Sequence, residues 1–403
     1  TLFPLALSKG MRVVSNSGGL NPHSAAQVVA GLLAKSGIKS VKIAAITGDN
    51  LLDELGALQQ AGHDLAHLDS GETFAAAPRI PTHAAVYIGA QSIKDALDQG
   101  AQIILAGRVA DPALTLGTLA HHYGWQIEPQ ADAPLSQVQL NLLAQGITIG
   151  HLLECGGQAS GGNSYAEWQW PSPYKFSNLG YPIAHVWADG SAELTRLEGS
   201  GGKVSRDTLR EQLVYEIHDP SCYLTPDVTV DLTQVRLQEL GPDRVRLSGA
   251  QGRTRPDRLK LTIGLQEGYL TEQFFFFSWP HAWDKARAFV EAAEQIWSRL
   301  PIQLDRTLVS YIGVDGIHPG AAPRPPDDEL NQRAEIGIRL ALQHANPNHG
   351  KMAIQALTSL ALNGPPGLIS LPGWGNTARQ QLGLWPTLIP RELVKPEVTM
   401  YES

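Results

Sequence analysis

Three side chains able to move protons or attack carbon stand within five positions of one another: His151, Glu154 and Cys155, in the run Gly150-His151-Leu152-Leu153-Glu154-Cys155-Gly156-Gly157. An imidazole beside a carboxyl suits general acid and base work, and a thiol suits nucleophilic attack. Glycine pairs at 156–157 and 161–162 follow, letting the backbone turn sharply or press close to a ligand. Between and after them, Gln158 and Asn163 add amide groups that could hold a substrate. Cys155 by itself reads more plainly as a small core residue. The whole cluster is what points to chemistry.

Other reactive residues gather where apolar runs stop. The run 101–106 ends at Gly107-Arg108, with Asp111 close behind. Arg108 could grip a carboxylate or phosphate with two parallel bonds, where a lysine would be only a point charge. Asp111 could pair with Arg108, cap the next helix or carry a proton. The run 41–47 ends at Gly48-Asp49-Asn50, giving Asp49 as a candidate acid or base and Asn50 as a substrate contact. Both types also serve as helix caps. A short strand over 11–16 leads into a turn with Gly18 and Gly19, whose amides could cradle an anion ahead of a helix over 23–36 capped by Asn21. His83, in the run 81–89, is a further candidate substrate contact. These positions matter because ligands of open α/β sheets collect at the carboxyl ends of strands.

The elements that must position them are strands alternating with helices over 51–60, 90–99 and 113–122. Non-alternating apolar strands predict an α/β fold with a parallel sheet covered by helices. The segment 150–155 is expected as one more strand end on the same rim. Past residue 198 the pattern changes to an α+β style. A glycine-rich crossing precedes a helix over 205–217, and alternating stretches predict antiparallel hairpins, among them 234–240 with 244–248 and 259–265 with 269–277. Helices are expected over 281–300 and 329–344, and a strand over 307–314. The expected division is 1–198, 199–355 and a Pro-rich arm over 356–403.

The length of 403 residues suits two domains with sizeable cores. A net charge of −8, with no concentrated basic run, argues against a nucleic-acid binder. Two distant cysteines, Cys155 and Cys222, imply no disulfide framework and fit a reducing compartment. Residues 1–10 lack the pattern of a signal peptide and no apolar run is long enough to span a bilayer, so a cytoplasmic protein without membrane contact is expected. Adjacent His121 and His122 point in different directions on a helix, and no metal-ligand spacing is found. No metal and no bound prosthetic group are expected.

Five segments resemble the acyclic terpene utilisation (AtuA-like) family. They are Ala106-Gly107-Arg108-Val109-Ala110-Asp111-Pro112-Ala113-Leu114-Thr115-Leu116-Gly117, residues 150–163, Gly180-Tyr181-Pro182-Ile183-Ala184, Tyr215-Glu216-Ile217-His218-Asp219-Pro220 and Tyr223-Leu224-Thr225-Pro226-Asp227-Val228. The resemblance runs from about residue 11 to about 355. The first turn, Ser17-Gly18-Gly19-Leu20-Asn21-Pro22, departs from the aromatic and acidic pair usual there. The resemblance implies bacterial catabolism of branched acyclic terpenoids and related acids as coenzyme A thioesters. The expected activity is that of a lyase, by hydration, dehydration or carbon–carbon cleavage of an acyl substrate. His151 or Glu154 would be the base, Asp111 or Cys155 the acid, and Arg108 and Asn163 would hold the anion. Two alternatives stay open: covalent catalysis by Cys155, or a non-catalytic acyl-CoA-binding subunit of a catabolic complex. Coenzyme A would enter as part of the substrate, and a homo-oligomer is expected.

Overall fold

The computed structural model describes residues 2–76, 80–129, 133–165, 174–371 and 377–403. Its strands are β1 (Val13–Ser15), β2 (Lys42–Thr47), β3 (Pro81–Val86), β4 (Ile103–Ala106), β5 (Pro182–Val186), β6 (Ala192–Arg196), β7 (Tyr223–Leu224), β8 (Thr229–Asp231), β9 (Arg236–Gly241), β10 (Arg244–Ser248), β11 (Gln251–Arg253), β12 (Arg258–Ser278), β13 (Arg306–Ile312), β14 (Glu335–His344), β15 (Leu368–Ser370), β16 (Arg379–Pro390) and β17 (Glu397–Glu402). The longer helices are α1 (Leu2–Ser8), α2 (Pro22–Lys35), α3 (Leu55–Gln60), α4 (Gln91–Asp98), α5 (Asp111–Tyr123), α6 (Gln137–Glu154), α7 (Arg206–Val214), α8 (Ala282–Trp297) and α9 (Pro347–Ala356). The chain divides into two compact units, neither contiguous in sequence: Thr1–Ala76 with His83–Ile263 and Pro386–Ser403, and Ala77–Thr82 with Gly264–Trp385.

The first unit holds a four-stranded sheet in the order β1-β4-β2-β17. Strands β1, β4 and β2 are parallel. Ile43, Ala45, Ile103 and Leu105 pack with Ala26 and Leu33 of α2, and the alternate residues Ala44, Ile46, Ile104 and Ala106 are buried as well. Burial on both faces explains why these strands read as continuous apolar runs. Asn21 caps α2 by accepting from the Ser24 amide, with Pro22 at the first helical position. The parallel sheet is smaller than expected. β3 pairs with β12 instead, and the fourth strand is β17, antiparallel to β2. The end of the stretch read as a Pro-rich arm thus supplies a sheet strand.

The segment 150–155 is not a strand end. It is the last turn of the eighteen-residue helix α6 and its C-cap, Cys155. Ser136 starts this helix in a capping box with Gln139. Gly150, a poor helix former, is required by packing: a Cβ there would lie 2.6 Å from the Pro112 carbonyl oxygen, at the start of α5. Around α6 lie the antiparallel sheets β5-β6-β10-β9 and β11-β8-β7, and Leu143, Ile147, Leu194, Val230 and Val245 share one core. Helix α7 is capped by Ser205, also in a capping box, with Thr208.

The second unit centres on the sheet order β13-β14-β12-β15. The hairpin expected around Glu267-Gly268 is one uninterrupted strand, β12, in which Gly268 takes a φ of +83°. Residues Tyr269–Ser278 pair with β14 instead of with 259–265. The helix expected over 329–344 is also corrected, since its last ten residues are β14 and only 329–331 are helical. Ile336, Ile338, Leu340 and Leu342 alternate, and burying that face against α8 outweighs the local helix preference of the Leu, Ala and Arg residues. Phe275 and Phe277 pack on Phe289, while Phe274 and Phe276 are half-buried. Among the described residues, no helix is long and apolar enough to cross a membrane.

Candidate functional site

Where the start of α5 meets the end of α6, both within the first unit, acids, bases and a cation collect. His151 and Glu154 lie one turn apart on α6, so their side chains share a face. His151 Nδ1 stands 2.9 Å from Glu154 Oε1. The His151 side chain is 3 % exposed. Gln212 of α7 donates to the His151 carbonyl at 2.8 Å, and its side chain also reaches the Cys155 thiol. The Tyr223 ring lies 5.7 Å from the imidazole, centroid to centroid.

Arg108, just before α5, donates to Asp111 Oδ2 at 2.7 Å, and Asn16 donates to the other oxygen at 3.0 Å. The guanidinium lies over the Tyr87 ring, 4.1 Å from its centroid. The Arg108 amide donates to the buried Asp49 carboxylate at 2.6 Å. Gly107 is needed here, because a Cβ would lie 2.3 Å from Asp49 Oδ1.

Electrostatics tie the two halves together. Burial pushes the Glu154 carboxyl above its ordinary range, its bond to His151 pulls back, and the charges of Asp111 and Glu216 add to the rise. Burial also raises the Cys155 thiol, with Glu154, Glu216 and Asp111 acting in the same direction. Tyr223 is pushed up by burial first and then by Glu154, Asp111 and Glu216. Burial raises Asp49 against the pull of the Arg108 amide. Such perturbed groups cluster where proteins do chemistry, and also in structural ion networks. His151 Nε2, Glu154 Oε2 and Arg108 Nε are buried with no hydrogen-bond partner among the described residues, as are single atoms elsewhere such as Trp283 Nε1 and His344 Nδ1, but here three lie in one cluster. Each such atom costs about 1–3 kcal/mol of desolvation, and a bound polar group would recover that cost.

Of the residues expected from sequence, Arg108, Asp111, His151, Glu154 and Cys155 come together, with Asp49 one hydrogen bond away. The others stand outside the contacts just described. The exposed Asn163 donates to the half-buried Gln158 at 3.2 Å. Asn50 closes a turn onto the Leu52 amide. Gly18 sits where a Cβ would meet the Ala106 carbonyl oxygen at 2.6 Å, whereas Gly19 faces open space. His83 lies half-buried near the start of β3. Asn16, Tyr87, Gln212, Glu216 and Tyr223 are additions that sequence reasoning missed. Asn16 ends a strand as Asp49 does, and Glu216 and Tyr223 lie in two of the family-like segments. Among the described residues, no group of three or more His, Cys, Asp or Glu side chains is arranged to hold a metal.

The model of the acyclic terpene utilisation family protein AtuA matches residues 1–400. The chain belongs to the AtuA family. Membership covers the arms of the site on α5 and α6 and extends to β17, beyond the stretch in which the sequence resemblance was read. It ties this AtuA-family chain to acyclic terpene utilisation. Comparison with curated proteins gave no match, and neither did comparison with solved structures.

Proposed function

We propose that this AtuA-family protein is an acid–base enzyme of small-acid catabolism. Its substrate would be a branched or functionalised acyl group, carried as a coenzyme A thioester or as the free acid. The reaction class is hydration, dehydration or carbon–carbon cleavage next to the acyl carbonyl. One observation carries this reading: the buried His151–Glu154 pair leaves Nε2 and Oε2 without partners among the described residues, near the Arg108–Asp111 ion pair.

In this reading Nδ1–H donates to Glu154 and leaves the Nε2 lone pair as the base. For dehydration, Nε2 takes the proton from the carbon next to the carbonyl, and the electron pair left there forms the carbon–carbon double bond. The hydroxyl on the neighbouring carbon departs as water with a proton from a donor. Cys155 and Tyr223 suit that donor, since their surroundings keep both protonated. The same surroundings disfavour a thiolate, which weakens the covalent alternative. Asp111 is better suited to orienting Arg108 than to proton transfer, because Arg108 and Asn16 occupy both of its oxygens. Arg108, at the start of α5, would balance negative charge growing on the acyl oxygen.

The test is turnover of a panel of branched acyl thioesters and free acids by the wild type and by the His151→Asn and Arg108→Lys variants. Turnover that both changes cripple supports the reading. Turnover untouched by either removes it.

A further inference from the structure

Away from the acid–base cluster, the sheet β5-β6-β10-β9 turns one face to the core and the other to solvent. Strand pairing lines up its outer side chains. His185 stands opposite Glu193, Glu193 opposite Arg246, and Arg246 opposite Gln238, while Ser248 pairs with Arg236. In a chain of net charge −8, this face is basic. Of the carboxylates beside it, Glu193 is held by Arg244 through two bonds of 2.6 and 3.0 Å, and Asp189, in the turn after β5, feels the charge of Arg246 as Glu193 does, leaving three guanidinium groups against two carboxylates. Arg236 and Arg246 have no ion-pair partner among the described residues. Trp187 is 43 % exposed, with the Arg246 guanidinium 5.9 Å from its ring centroid, and Arg236 stands further across the sheet, on the edge strand β9. His185, Trp187, Glu193 and Arg244 border an open hollow of about 630 Å³.

The face is also connected to the candidate site. Tyr181, just before β5, lies within 4 Å of a Cβ built on Gly156, the residue after Cys155. From there Tyr181, Ile183, His185 and Trp187 are the exposed positions of an alternating exposed and half-buried run. Six residues of strand at about 3.3 Å each carry this stripe roughly 20 Å. That is comparable with an extended pantetheine arm.

We propose that the outer face of β5-β6-β10-β9 binds the phosphorylated nucleotide end of an acyl carrier. The base stacks on Trp187, and the phosphates meet Arg246 and Arg236. An exposed indole accepts any base by its face, and free guanidinium groups match phosphate geometry. The Tyr181-to-Trp187 stripe would carry the arm from the reactive thioester. This proposal rests on the reading of the protein as an acyl-thioester enzyme, and names the carrier that the substrate brings.

The test is calorimetric titration of the full chain with coenzyme A, 3′,5′-adenosine diphosphate and ATP. Coenzyme A and 3′,5′-adenosine diphosphate should bind, and Trp187→Ala and Arg246→Gln should each weaken them about tenfold, as expected for one lost stack or charge contact. Arg236→Gln serves as a second charge variant, and thermal melting confirms that each variant is folded. Absent binding, binding unchanged by all three substitutions, or a preference for ATP at these residues would overturn the proposal. His151→Asn should leave nucleotide binding intact. Failure of the acid–base reading with nucleotide binding preserved is therefore a distinguishable result.

Discussion

His151 Nδ1 and Glu154 Oε1 face each other at 2.9 Å across one turn of α6, in the last turn before the helix ends at Cys155. The carboxylate fixes which imidazole nitrogen is free and would stabilise the cation formed when that nitrogen takes a proton. His151→Asn should lower kcat by roughly a hundredfold to ten-thousandfold, the usual range for a lost general base, with little change in KM. Steady-state kinetics on any turned-over substrate reads this out, and an unchanged kcat counts against the assignment.

Glu154 contributes a pH dependence with a definite sign. Because burial raises its carboxyl, the carboxylate form is reached only at a pH above the ordinary carboxylate range. The kcat/KM profile should rise through that region, and Glu154→Gln should remove the limb along with much of the activity. A limb that survives in the variant belongs to another group.

Cys155 should alkylate more slowly than free cysteine near neutral pH, because burial and three neighbouring carboxylates disfavour its thiolate. Mass spectrometry of the protein after timed exposure to iodoacetamide measures it. Rapid labelling of Cys155, blocked by substrate, would restore the covalent reading.

Asp227 links stability to pH. It is 2 % exposed, accepts from the Ala90 amide at 2.9 Å, and burial pushes its carboxyl up to about 6 from 3.8. A raised carboxyl stabilises the fold fully below the unfolded value, and that contribution is lost as pH rises through about 6. At most about 3 kcal/mol is involved. Asp227→Asn should therefore flatten the fall in Tm between pH 4 and pH 7. Parallel Tm profiles for variant and wild type would contradict this.

Gly150→Ala tests whether the site depends on close approach of α5 and α6. The added methyl would meet the Pro112 carbonyl oxygen at 2.6 Å, so helix spacing must change, at a cost of about 1–3 kcal/mol. A lower Tm together with loss of activity is expected. A Tm at the wild-type value would show that the approach is looser than described.

Much of the first sheet was legible in the sequence, because β2 and β4 are buried on both faces and show it as unbroken apolar runs ending in Gly48-Asp49 and Gly107-Arg108. The residue types at 151, 154 and 155 were equally plain, but their element was not. His-Leu-Leu-Glu fits a buried strand or a helix by hydrophobicity alone, and the deciding signal lay fifteen residues upstream of His151, in the Ser136-to-Gln139 capping box. That correction matters for chemistry, since only the helix puts His151 and Glu154 on one face. β14 reads as helix in sequence because Leu, Ala, Arg and Gln favour helix locally, while its alternating Ile336, Ile338, Leu340 and Leu342 answer to burial against α8. Tyr223 and Gln212 could not be placed beside His151 from sequence, because more than sixty residues separate them and only the packing of α7 and β7 brings them back.

The most direct measurement is deuterium incorporation from heavy water into the carbon next to the acyl carbonyl, followed by NMR over a panel of branched acyl thioesters. Proton transfer at that carbon is common to all three reactions, lost in dehydration and gained in hydration and by the enolate that cleavage leaves, so solvent deuterium enters there whichever of them occurs. The expected result is exchange catalysed by the wild type and abolished in His151→Asn with the fold intact. Exchange that persists in that variant, or no exchange on any thioester, would contradict a base at His151.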